Sequence, residues 1–80
     1  MLSSHIGKVI IDVAIFLEFS EENLVDPDVA MQAMENLANE LQLMSESERL
    51  ELANCFGTVS TEYGEREVFV RGLAENLGLI

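Results

Sequence analysis

The chain has 80 residues, 49% of them hydrophobic, with 15 Asp and Glu against 4 Lys and Arg, a formal net charge of −11 and a pI near 4.1. Such a length makes one domain close to the size at which a single core gives marginal stability, and the apolar fraction excludes a disordered chain despite the charge. The charge excludes direct DNA or RNA binding, which needs basic residues against phosphate, and disfavours anionic membrane surfaces.

A basic protein partner is favoured instead, because opposite fields speed encounter and sharpen specificity; the plain alternative is that acidity only keeps a small domain soluble. The single cysteine, Cys55, cannot close an internal disulfide, and no Cys/His cluster with zinc spacing exists. A reducing cytoplasm fits this usage.

The most apolar stretch is Ile6 to Phe19, IGKVIIDVAIFLEF, in which only Lys8, Asp12 and Glu18 carry charge. Asp12 interrupts it, acidic residues follow it and no basic segment precedes it, so a secretory leader is disfavoured. It is also too short to span a bilayer. Ser3 or Ser4 can cap a first helix over about 4–19. Around that helix Ile6, Val9, Ile10, Val13, Phe16 and Leu17 make one wide face, expected to be the buried one, with Ile11, Ile15 and Phe19 on the far side beside Lys8 and Asp12. Lys8 and Asp12 stand four apart and are expected to pair. His5 is expected to be exposed near the terminus.

Asp26-Pro27-Asp28 starts the second helix, over about 27–43: Asp26 caps, Pro27 occupies the first turn with no N–H to lose, and Asp28 suits the dipole. Ala30, Met34, Leu37, Leu41 and Met44 share one face, with Ala33 and Ala38; Gln32, Glu35, Asn36, Asn39 and Glu40 occupy the other. Ser45 and Glu48 form a capping box for a third helix over about 46–62. Leu52, Phe56, Val59 and Tyr63 lie on its core stripe, with Glu48, Glu51 and Glu62 outward. Gly57 costs this helix about 1 kcal/mol against alanine and marks a close approach or a bend near Thr58 to Ser60. Cys55 sits at the stripe's edge as a packing residue, without the basic neighbour that would make it reactive.

Gly64 separates a fourth helix, about 65–77, in which Phe69, Val70, Leu73 and Leu77 face inward and Glu67 pairs with Arg71 four residues on. Gly78 is the expected left-handed cap, with Leu79 folding back on the helix end. No segment shows the period-2 alternation of a strand. The expected fold is therefore all-α: a single domain over residues 1–80, built as a four-helix antiparallel bundle or an orthogonal helical array. With three stripes available to cover the first helix, Ile15 and Phe19 are the positions expected to remain open for an apolar contact.

Catalysis needs groups held in mutual reach with shifted pKa values. Nucleophilic chemistry would have to use His5 at the terminus; the glycines are dispersed rather than forming a phosphate loop, and Ser20 to Asp28 lacks the calcium-loop ladder. The expectation is no enzyme, no cofactor and no metal. Binding remains, and the outer residues Glu35, Asn36, Asn39, Glu40, Glu48, Glu51 and Glu62 are the expected contact face, where desolvated carboxylates could anchor Arg or Lys.

A first helix ending in FLEFSEEN, then DPDVAMQAMENLANELQLMSESERLEL, then EVFVRGLAENLGL, resembles the small acidic all-helical immunity proteins that accompany bacterial polymorphic and contact-dependent toxins. The last two stretches cover about half of the chain. The chain is also similar to the colicin-nuclease immunity proteins in size, helicity and acidity, but lacks their adjacent tyrosine pair; Tyr63 stands alone, so no functional residue carries over. The resemblance implies a cytoplasmic protein that neutralises a cognate basic toxin domain, of nuclease type, by covering its active site or substrate surface. Two other readings stay open: a nucleic-acid mimic that inhibits a DNA-binding enzyme, and a homodimeric adaptor that pairs through Ile11, Ile15 and Phe19.

Overall fold

Four local signals in the chain set its helix ends, and each forms as its chemistry dictates. The structure, a computed structural model, describes residues 3–80; the first two positions of the expected domain lie outside the described residues. The helices are α1 (Ser4–Phe19), α2 (Pro27–Gln42), α3 (Glu46–Val59) and α4 (Glu67–Asn76), with a 3-10 segment, Ser60–Arg66, between the last two. Ser3 caps α1 by accepting from the N–H of His5 at 3.2 Å. Asp26 caps α2, its Oδ1 accepting from the N–H of Asp28 at 2.8 Å. Ser45 and Glu48 complete their capping box at 3.2 and 3.0 Å. After α4, Gly78 takes φ 74°. Its N–H donates to the Glu75 carbonyl and that of Leu79 to the Ala74 carbonyl, the paired bonds of a left-handed glycine cap, and Leu79 folds back into the core.

The all-α expectation stands, with no strand among the described residues. A four-helix antiparallel bundle does not form. α3, the 3-10 segment and α4 follow one another without an intervening loop, with a kink at Gly64, so three helical stretches stand in place of four rods joined by turns. The cause lies at residues 57–64. Gly57 weakens local helix preference, and the hydroxyl of the fully buried Ser60 donates back to the Gly57 carbonyl at 2.8 Å, a bond that bends helices. Gly64, at φ 53° and ψ −121°, then re-aims the chain in a region open mainly to glycine. The third helix therefore stops at Val59 instead of 62, and α4 begins at Glu67 instead of 65.

The core gathers Ile11 and Ala14 of α1, Leu52, Phe56 and Val59 of α3, and Val70, Leu73, Ala74, Leu77 and Leu79 from the α4 end. Each large side chain taken fully out of water there contributes about 1.5–3 kcal/mol. α2 adds Ala30 as a buried residue, while Met34, Ala38, Leu41 and Met44 pack partly buried against the core, on the face the spacing predicts. α1 packs against both α2 and α3, and α3 against α4.

The orientation of α1 reverses the expectation. Its buried side is Gly7, Ile11 and Ala14, with Ile10 and Ile15 partly buried beside the core. Ile6, Val9, Val13 and Phe16 of the wide face are instead exposed, at 53%, 61%, 44% and 58%. The reason is close approach. A Cβ on Gly7 would collide with the Cys55 sulfur, so α1 lies against α3 over its smallest residues, where two helices come nearest and bury most per residue. The molecule measures 38 × 28 × 18 Å, and a thickness under two full helix diameters of about 10–12 Å each leaves no layer to cover the outer side of α1.

Candidate functional site

Between Lys8 and Arg49 the chain carries ten acidic residues and no basic one, and α2 lies at the centre of that interval. Its buried stripe is turned to α1, so the remaining side must meet water. Glu35, Asn36, Asn39 and Glu40 are all exposed there, one to two turns apart, and the Gln32 amide donates to Asn36 Oδ1 at 3.0 Å, which steadies the middle of the row. No cation on the helix offsets its carboxylates.

The other expected contact residues sit elsewhere and are partly engaged. Glu48 is exposed, but its carboxylate accepts from the Ser45 N–H, and this bond, joined by the Ser45 side chain, holds its pKa below the usual carboxylate value. Glu51 is exposed on α3. Glu62, in the 3-10 segment, forms an ion pair with Lys8 at 2.9 Å. Lys8 thus reaches across to Glu62 rather than to Asp12. Asp12 in turn accepts from the Tyr63 hydroxyl at 3.0 Å. The local i, i+4 pair expected on α1 is replaced by two contacts to the 3-10 segment, because packing against α3 brings that segment alongside. The Glu67–Arg71 pair does form.

Of Ile15 and Phe19, the positions expected to stay open, Phe19 is exposed, at 41%, and Ile15 is not. Ile15 packs partly buried against the core. The Phe19 ring meets Phe69 edge to face, with centroids 5.0 Å apart and planes at 74°, and the Arg66 guanidinium lies 3.7 Å over its face, an arrangement attractive through the ring quadrupole. These contacts clamp the end of α1 to the start of α4.

Other apolar residues of α1 are exposed as well. Ile6, Val9, Val13 and Phe16 line the outer side of α1, and a cleft of about 260 Å³ opens at its C-terminal end, its apolar lining of Leu17, Val25, Pro27, Ala30, Met31 and Met34 interrupted by Glu18 and Ser20. Positions 6, 9, 13 and 16 fall at intervals of three, four and three, the spacing of one helix face.

Among the described residues no group of three or more His, Cys, Asp or Glu side chains is placed to hold a metal ion, and no helix is long and apolar enough to cross a membrane. Cys55 is a free thiol, half-buried against Gly7. The arrangement offers charge and hydrogen-bond acceptors on one helix and an apolar seam on another. No family of known proteins, no curated protein and no solved structure matches the chain.

Proposed function

We propose that this chain is a non-catalytic inhibitor of the immunity type, binding a basic toxin domain in the cytoplasm and shielding its active site or substrate surface. The observation that carries the reading is the run of ten acidic and no basic residues between Lys8 and Arg49, with the exposed row of α2 at its centre. Such a field draws in a basic partner and raises the encounter rate. On contact, Glu35 and Glu40 would accept charge-assisted hydrogen bonds from Arg or Lys, the strong and directional kind, and Asn36 and Asn39 would complete the polar contacts between them. Glu48, Glu51 and Glu62 would act as the rim, with Glu62 exchanging Lys8 for a partner cation. A nuclease domain suits this surface, since its own substrate is a polyanion.

The test is titration calorimetry of the purified chain against the toxin domain encoded beside its gene, with growth rescue on co-expression as the second readout. Tight binding that weakens as salt rises is expected. The double substitution Glu35→Lys with Glu40→Lys should weaken it by at least about a hundredfold while the helical circular dichroism is unchanged. Binding that ignores this charge reversal, or an absence of both binding and rescue, overturns the reading.

A further inference from the structure

The order of side chains along the exposed side of α1 is symmetric. Val9 and Val13 lie two positions either side of Ile11, and Ile6 and Phe16 lie five either side. All four are exposed, although each is of a type that folding normally buries. We infer that this seam pairs with a second copy of the chain, α1 against α1 in antiparallel order across a two-fold axis.

Antiparallel pairing about Ile11 sets Val9 of one copy against Val13 of the other, twice, and Ile6 against Phe16, twice. The two small β-branched residues meet at the centre and the larger ones close the ends. This is the self-complementarity a two-fold contact requires. A parallel arrangement would put both Phe16 rings at one end and both Ile6 side chains at the other, so the gap between the helices would be uneven along the seam.

Charge points the same way. The segment 4–19 holds Lys8, Asp12 and Glu18, a net of −1, whereas the whole chain carries −11. Lys8 is bonded to Glu62 and Asp12 to Tyr63. The four seam positions are themselves uncharged, as in the core of an interface. A basic partner would find no counter-charge here, but a second copy would keep its acidic faces outward.

The four side chains leave open roughly 400 Å² of apolar surface, and half-buried Ile10 and Leu17 with exposed Met31 extend it towards about 600 Å², the upper range for patches on monomers. A two-fold contact of about 600 Å² per copy lies at the small end of specific interfaces. The dimer should therefore be reversible, populated as concentration rises through the micromolar range.

Sedimentation of the full chain from about 1 µM to about 1 mM tests this over the range where such contacts form. The expected result is exchange between the 8.9 kDa chain and a species of twice that mass. The dimer should strengthen as salt rises, because screening relieves repulsion between two acidic copies; binding of a basic partner follows the opposite trend, so the two readings fail separately. Val9→Glu should weaken the dimer at least about a hundredfold by burying two unpaired carboxylates, and the high exposure of Val9 leaves the monomer's circular dichroism unchanged. Adding Val13→Lys to that variant should restore the dimer, since the new charges face each other only in the antiparallel order. A single 8.9 kDa species at every concentration, or a dimer indifferent to Val9→Glu, overturns the pairing. A Val9→Glu, Val13→Lys chain that stays monomeric overturns the antiparallel order.

Discussion

The Tyr63 hydroxyl donates to Asp12 Oδ1 at 3.0 Å, joining the 3-10 segment to the middle of α1 across 51 positions of sequence. Desolvation by the surrounding helices, then the hydrogen bond to Asp12, push the phenol's pKa from 10.0 up to about 12. The neutral phenol is the form that folding favours. Its contribution to stability is therefore complete below pH 10 and is lost as pH rises through about 12. Phenolate absorbance should titrate near 12 in the native protein and near 10 in denaturant. Tyr63→Phe should cost about 1 kcal/mol at neutral pH and should remove this step from the alkaline side of the stability profile. A native phenol that ionises near 10 refutes the contact.

Gly7 faces Cys55 so closely that an added Cβ would meet its sulfur. Gly7→Ala normally gains up to about 1 kcal/mol of helix preference, whereas the collision costs about 1–3 kcal/mol of overpacking. The net expectation is destabilisation by about 1 kcal/mol, read as a fall in melting temperature of about 4–8 °C for a domain of this size. In a Cys55→Ala background the sulfur is gone and the same substitution should become neutral or stabilising. If Gly7→Ala raises the melting temperature of the otherwise native chain, the close approach of α1 to α3 is wrong.

What was legible in the chain divides along physical lines. Caps are local chemistry: Ser3, Asp26, the Ser45–Glu48 box and Gly78 each act within a few residues of themselves, and all four appear where the residues imply. The stripe of α2 was legible for the same reason, since one helix face carried nearly all its apolar residues. α1 offered two apolar faces, and breadth pointed to the wrong one. The choice between them was made by Gly7 and Ala14, whose smallness matters only once Cys55 and α3 lie opposite. The same tertiary fact turned Lys8 to Glu62 and Asp12 to Tyr63, and no local rule could foresee it. The acidic residues of the candidate surface were all visible, but the engagement of Glu48 by a cap and of Glu62 by an ion pair separates them from the open row on α2. The bend near Ser60 was foreshadowed by Gly57, although the buried hydroxyl that completes it reads in sequence as an ordinary polar residue.

The α4 terminus is held by α2 through one amide. Gln42 Nε2 donates to the Leu77 carbonyl at 2.8 Å, satisfying one of the carbonyls that every helix end leaves without a partner. Gln42→Ala should cost about 1 kcal/mol. Gly78→Ala should cost more, for two reasons. Its φ of 74° is a left-handed conformation that costs a side chain about 1–2 kcal/mol. Its Cβ would also lie 2.7 Å from the same Gln42 nitrogen, forcing the amide off Leu77. The two losses share one hydrogen bond, so they should not add. Chemical denaturation of the single and double variants should show the double costing less than the sum by about 0.5–1 kcal/mol, the range expected of residues in contact. Costs that add to within about 0.3 kcal/mol would mean that the amide does not hold the helix end and that Gly78 acts through backbone strain alone.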